Sequence, residues 1–116
     1  MLGVGTGAFG AHGLKAHVTA DMLAVWQTAV LYQLVHALGL LGTAALRPQL
    51  HPRLSTAAAL FLLAGILIFS GSLYALVLSG IRGIGAITPI GGVCFMIGWL
   101  LLALAALRER PDASRD

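Results

Sequence analysis

Residues 20–46 read ADMLAVWQTAVLYQLVHALGLLGTAAL, and no charged residue follows Asp21 within that run. As a helix it reaches about 40 Å, enough for a tilted path through a hydrocarbon core of about 30 Å. Thr28, Tyr32, Gln33 and His36 sit inside it. On a helical wheel they fall within an arc of about 140°, with Gly39 on the same side. Most of the remaining circumference is Leu, Val and Ala. The pattern predicts one face turned to other helices and one turned to lipid. A neutral amide or imidazole in hydrocarbon needs a hydrogen-bond partner or costs a few kcal/mol. Gln33 and His36 are therefore expected to point inward.

The wider composition fits this reading. The chain has 116 residues, 59% of them hydrophobic and 9% charged. Soluble domains carry about 25% charged residues, so the balance predicts one integral membrane domain over residues 1–116. The net charge of +3 comes mainly from arginines that flank apolar runs, which excludes a nucleic-acid surface in favour of membrane topology. The single cysteine, Cys94, allows no intrachain disulfide and no cysteine-pair metal site, and it reads as a small core residue.

Working outward, residues 1–12 form a glycine-rich apolar helix with Gly3, Gly7 and Gly10 on one face. Such spacing lets helices approach closely. At about 17 Å the segment is too short to cross, so the first helix is expected to be a shortened or re-entrant one. His12, Lys15 and His17 belong to a link at headgroup level. Thr19 is a suitable N-cap for the long helix, Asp21 suits its dipole, and Trp26 fits the aromatic belt. The loop RPQLHPR at 47–53 ends that helix. A second long apolar run follows, with a helix expected over 54–79 and a small polar notch at Ser70, Gly71 and Ser72. The notch reads as close packing first and as a substrate contact second. SGIRGIGAI at 79–87 is a glycine-rich turn without the GxxxxGK[ST] spacing of a phosphate loop. Thr88 is expected to cap a last helix over 89–107 with Pro89 at its first position. Trp99 is expected against lipid or a partner. Residues 108–116 form a charged tail. The fold class is thus an all-α membrane protein, a four-helix transmembrane bundle of two hairpins with a shortened first helix. Arg47, Arg53, Arg108, Arg110 and Arg115 stand against Lys15 and Arg82. The excess predicts a multi-pass protein of the bacterial inner membrane with its C-terminus in the cytoplasm.

The segments GAFGAHGLK at 7–15, WQTAVLYQ at 26–33, HAL at 36–38, FSGSLY at 69–74, GAITPIGG at 85–92 and the pair Gly98-Trp99 together resemble the YgdD-like family. That family is known as domain of unknown function 423 and includes the animal transmembrane protein 256. The resemblance implies a small multi-helix inner-membrane protein and no established activity. It also implies a longer first helix ahead of the GAFGAHGLK stretch than this chain has.

Three functions compete. A structural or accessory subunit, packing against partner proteins or its own copies, is supported by the small-residue faces. A small oligomeric transporter or channel would use Tyr32, Gln33 and His36 with Ser70 and Ser72, but the membrane runs lack the carboxylate that usually relays protons or cations. An enzyme or haem protein is disfavoured, since the acids are Asp21 and three in the tail and the histidines lie at different depths. No catalytic residue, metal site or cofactor is expected. The lipid bilayer is the expected surroundings, and nucleic acid is not an expected partner.

Overall fold

The computed structural model describes residues 1–108. The tail residues 109–116, Arg110 and Arg115 included, lie outside the described residues. Helix α1 runs over Leu2–His12, α2 over Ala20–Leu46, α3 over Pro52–Gly65, α4 over Gly71–Ser79 and α5 over Thr88–Leu107. A π-turn at Ile66–Ser70 joins α3 to α4 without a break, so the two form one rod. Three rods are long and apolar enough to cross a membrane, and α1 is not. The architecture is therefore four helices, with three spans and one half-length helix.

Local chemistry sets the ends. Thr19 caps α2 by accepting from the Met22 amide at 3.2 Å. His51 Nδ1 accepts from the Leu54 amide at 3.3 Å, so α3 begins at Pro52, ahead of its apolar run. Gly80, at φ 73°, closes α4 in the left-handed conformation that glycine adopts without strain. Thr88 is not the cap expected of it. Ile87 holds that position, and the Thr88 hydroxyl lies 2.6 Å from that of Ser72.

Small residues decide how the rods pack, as expected where lipid removes the hydrophobic drive between helices. α1 lies on the first half of α2. A Cβ on Gly3 would sit 2.5 Å from Leu34, one on Gly7 would sit 3.3 Å from Val30, and one on Gly10 would sit 2.6 Å from Trp26. The most extensive pairing joins α3 to α5. Ala58, Leu62 and Ala105 are fully buried there, and a Cβ on Gly98 would sit 2.8 Å from Leu62. The His51 amide donates to the Ala105 carbonyl at 3.1 Å and ties the two ends together.

Gly71 departs from its expected role. Nothing lies within 4 Å of a Cβ built on it. The close approaches on this rod and its neighbour are instead at Gly65, where Phe95 sits, and at Gly91, which meets the backbone of Phe69. Trp26 departs as well. It is 4% exposed and packed among helices, where an aromatic belt residue would face the headgroups.

Candidate functional site

The predicted polar face of α2 divides into two neighbourhoods, because its residues look toward different helices. Gln33 turns toward α1 and α4. The Tyr74 hydroxyl donates to Gln33 Oε1 at 2.5 Å and lies 3.1 Å from Thr6 Oγ1. Trp26 completes this knot by donating from Nε1 to the Thr6 carbonyl at 2.9 Å, and its ring centroid lies 4.6 Å from that of Tyr74. A short helix is thereby fastened to two spans through one hydroxyl and one indole.

Replacing Tyr74 by phenylalanine removes the donor and keeps the ring. Hydrogen bonds between membrane helices average about 0.6 kcal/mol and reach about 1.7. The short bond and the acceptor left behind place this one at the upper end. Unfolding in mixed micelles with rising SDS is expected to shift by about 1–2 kcal/mol, and an unshifted midpoint would mean that Gln33 finds another donor.

Tyr32 and His36 turn the other way, toward α5. His36 is 5% exposed. Its ring stacks on Phe95 with centroids 3.5 Å apart and planes 13° from parallel. Trp99 stands 5.7 Å from His36, and Tyr32 stands 4.6 Å from Phe69. Glycines seat the rings. Phe95 occupies the space a Gly65 side chain would take, and a Cβ on Gly39 would sit 2.9 Å from Trp99. His36 Nδ1 lies 2.7 Å from the Tyr32 carbonyl. A carbonyl only accepts, so Nδ1 carries the proton. A cavity of about 460 Å³ opens beside this cluster, bordered by Tyr32, His36, Phe69, Phe95, Met96 and Trp99 among others.

The other expected site residues do not join His36. Ser70 is 1% exposed and donates to the Ala29 carbonyl of α2 at 2.7 Å. The Ser72 hydroxyl lies within hydrogen-bonding distance of both the Phe69 carbonyl and Thr88. Thr28 is exposed and donates to the Ala24 carbonyl of its own helix. The π-turn explains the inward placement of two consecutive residues. Its wider turn sets Phe69 against Gly91 of α5 and Ser70 against Ala29 of α2. Periodicity at 3.6 residues per turn has no signal for this. Phe95 and Trp99 fall four residues apart on α5, one face of a helix, but their apolar surroundings hide the spacing. No group of three or more His, Cys, Asp or Glu gathers among the described residues.

The family model described as protein of unknown function, DUF423, matches residues 6–92. The chain belongs to this family. The UPF0382 membrane protein SSP2132 of Staphylococcus saprophyticus is 49% identical over 108 residues, covering 93% of this chain and 89% of the relative. The UPF0382 membrane protein YwdK of Bacillus subtilis is 48% identical over 109 residues, with 93% and 89% covered. No solved structure matches the chain. The DUF423 match takes in the Thr6–Trp26–Tyr74–Gln33 knot and His36, and it ends before Phe95 and Trp99. The membrane proteins that resemble this chain and its three apolar spans agree on a multi-pass membrane protein.

Proposed function

We propose that this DUF423 protein is a non-catalytic helical subunit of the bacterial inner membrane, packing against partner membrane proteins or against its own copies. The observation that carries the reading is the internal use of the polar side chains. Gln33, Tyr74, Thr6, Ser70, Ser72 and Thr88 hydrogen-bond one another or nearby carbonyls. No fully buried side-chain nitrogen or oxygen among the described residues lacks a partner. A translocation path needs polar groups that exchange partners with a passing solute. Here Ser70 and Ser72, which the transport reading would use, are committed to helix contacts. The outward face of α2 is meanwhile a run of exposed Leu31, Val35, Leu38 and Leu41, suited to lipid or to another helix.

The orientation belongs to the same proposal. Arg47, Arg53 and Arg108 lie at the end where α2 stops, α3 starts and α5 stops, whereas Lys15 and Arg82 lie in the links at the other end. The excess of arginine at that end supports a cytoplasmic central loop.

The test is extraction from native membranes into a mild polymer, followed by native mass spectrometry. A mass above that of one chain is expected, from a partner or from a symmetric oligomer. A bare monomer in every polymer tried, with no cross-linked neighbour in intact cells, would sink the reading.

A further inference from the structure

We propose that the groove between α2 and α5 beside His36 binds the headgroup of a reduced isoprenoid quinone, a quinol, as a lipid-soluble hydrogen-bond donor. The groove is formed within one chain, so the proposal stands apart from the question of partners.

His36 sets the chemistry of the groove. With Nδ1–H held by the Tyr32 carbonyl at 2.7 Å, Nε2 presents a lone pair. No described residue donates to it. The residue is 5% exposed, yet Nε2 is not among sealed atoms without a partner, so its edge retains an opening. Cavities border His36 on two sides, one of about 460 Å³ toward α5 and one of about 280 Å³ along Leu31 and Val35. A buried imidazole that borders a groove in a membrane span, with its second nitrogen unmatched, is completed by a ligand that brings its own donor.

Depth and shape define that ligand. His36 is ten residues from the end of α2 at Leu46, about 15 Å along the helix, so what reaches it arrives through the lipid. The larger cavity falls within the range of about 300–1,000 Å³ used for small-molecule sites. Its walls are aromatic. Phe95 lies parallel to the imidazole, with Tyr32, Phe69 and Trp99 around it. Such walls take a flat ring by offset or edge contacts. The rim is apolar, with Val93 and Met96 exposed, which suits an isoprenoid tail. A flat ring carrying hydroxyls and a long apolar tail is the chemistry of a membrane quinol. One hydroxyl donates to His36 Nε2, and the ring lies among the aromatic side chains.

The same geometry discriminates by oxidation state. An oxidised quinone carries only carbonyl acceptors on its ring. Opposite Nε2 it sets two lone pairs face to face. Moving the imidazole proton to Nε2 would cure that contact but would turn the Nδ1 lone pair onto the Tyr32 carbonyl. The groove therefore selects the reduced form. The proposal is one of binding, and no electron transfer is assigned to the chain.

The test uses the full protein in lipid nanodiscs under anaerobic conditions. Three probes share one tail: decylubiquinol, decylubiquinone, and the dimethyl ether of the quinol, which keeps the ring and loses both donors. Tryptophan fluorescence reports occupancy through Trp99, and native mass spectrometry reports stoichiometry. Decylubiquinol is expected to bind at one per chain and about tenfold more tightly than either other probe, the worth of one buried hydrogen bond. His36→Leu is expected to bring all three to one weak affinity. Met96→Trp, which fills the exposed rim, is expected to block all three while the thermal midpoint stays put. Equal affinity for the quinol and its ether in the unaltered protein would overturn the proposal, as would a quinol preference that survives in His36→Leu. Should His36→Leu fail to fold, the probe comparison and Met96→Trp decide the matter.

Discussion

Trp26→Ala is expected to detach α1 from the other helices and to cost about 3–5 kcal/mol, the range for truncating a buried tryptophan. Three interactions go together. The indole fills the slot opened by Gly10, donates to the Thr6 carbonyl, and packs against both Phe9 at 5.7 Å and Tyr74 at 4.6 Å between centroids. Its neighbours Leu14, Leu76 and Val77 are all buried, so the cavity left behind has apolar walls that cannot refill it. Trp26→Phe keeps most of the packing and loses the donor, so about 1–2 kcal/mol is expected for that change. Hydrogen exchange in micelles gives the spatial readout. Protection at 2–12 should collapse in Trp26→Ala while residues 52–107 keep theirs. A melting point equal to that of the unaltered protein, with protection intact over 2–12, would show that α1 is held by its glycine stripe alone.

The second large effect separates two adjacent residues. Gly91→Ala is expected to destabilise the protein by about 1–3 kcal/mol, whereas Gly92→Ala should lie within about 1 kcal/mol of neutral or be slightly stabilising. A methyl on Gly91 would run into the amide nitrogen, Cα and Cβ of Phe69. Backbone inside a rod cannot swing aside as a side-chain tip does, so α5 has to move away from the π-turn. A methyl on Gly92 meets nothing within 4 Å, and alanine gains the ordinary helix preference over glycine. Paired SDS titrations of the two variants test the difference directly. Matching midpoints would mean that α5 does not pack on Phe69 as described.

These residues also mark the limit of what the sequence can say. The four helices were legible because an apolar run between prolines, glycines and arginines has few other fates in a chain this poor in charge. The α2 face was legible in part. Its polar residues do lie on the packed side near Gln33 and His36, but one arc on a wheel cannot reveal that Gln33 answers to Tyr74 while His36 answers to Phe95. Those partners lie on other helices, and the inter-helix angle sorts them. Trp26 read as a belt residue because it sits near a helix end, and the slot that buries it belongs to Gly10, on a different helix. Gly91 and Gly92 are identical letters side by side. Only the neighbour each one faces gives them different duties. The π-turn left no trace in composition, since ILIFS is an ordinary apolar string.

The long sequence separation of the inter-helix polar contacts has a consequence for the order in which the protein can be made. Gln33 meets Tyr74, and Ala29 meets Ser70, each across 41 residues. Ribosomes add about 5–20 residues per second, so Gln33 and Ala29 each wait roughly 2–8 s before their partners have been synthesised. Trp26 finds Thr6 across 20 residues of chain already made, so the first hairpin can close at once. Gln33 cannot be satisfied so early by Tyr74. During those seconds the nascent α2 carries an amide that Tyr74 cannot yet match, so a cost to its early entry into lipid is expected until α4 arrives.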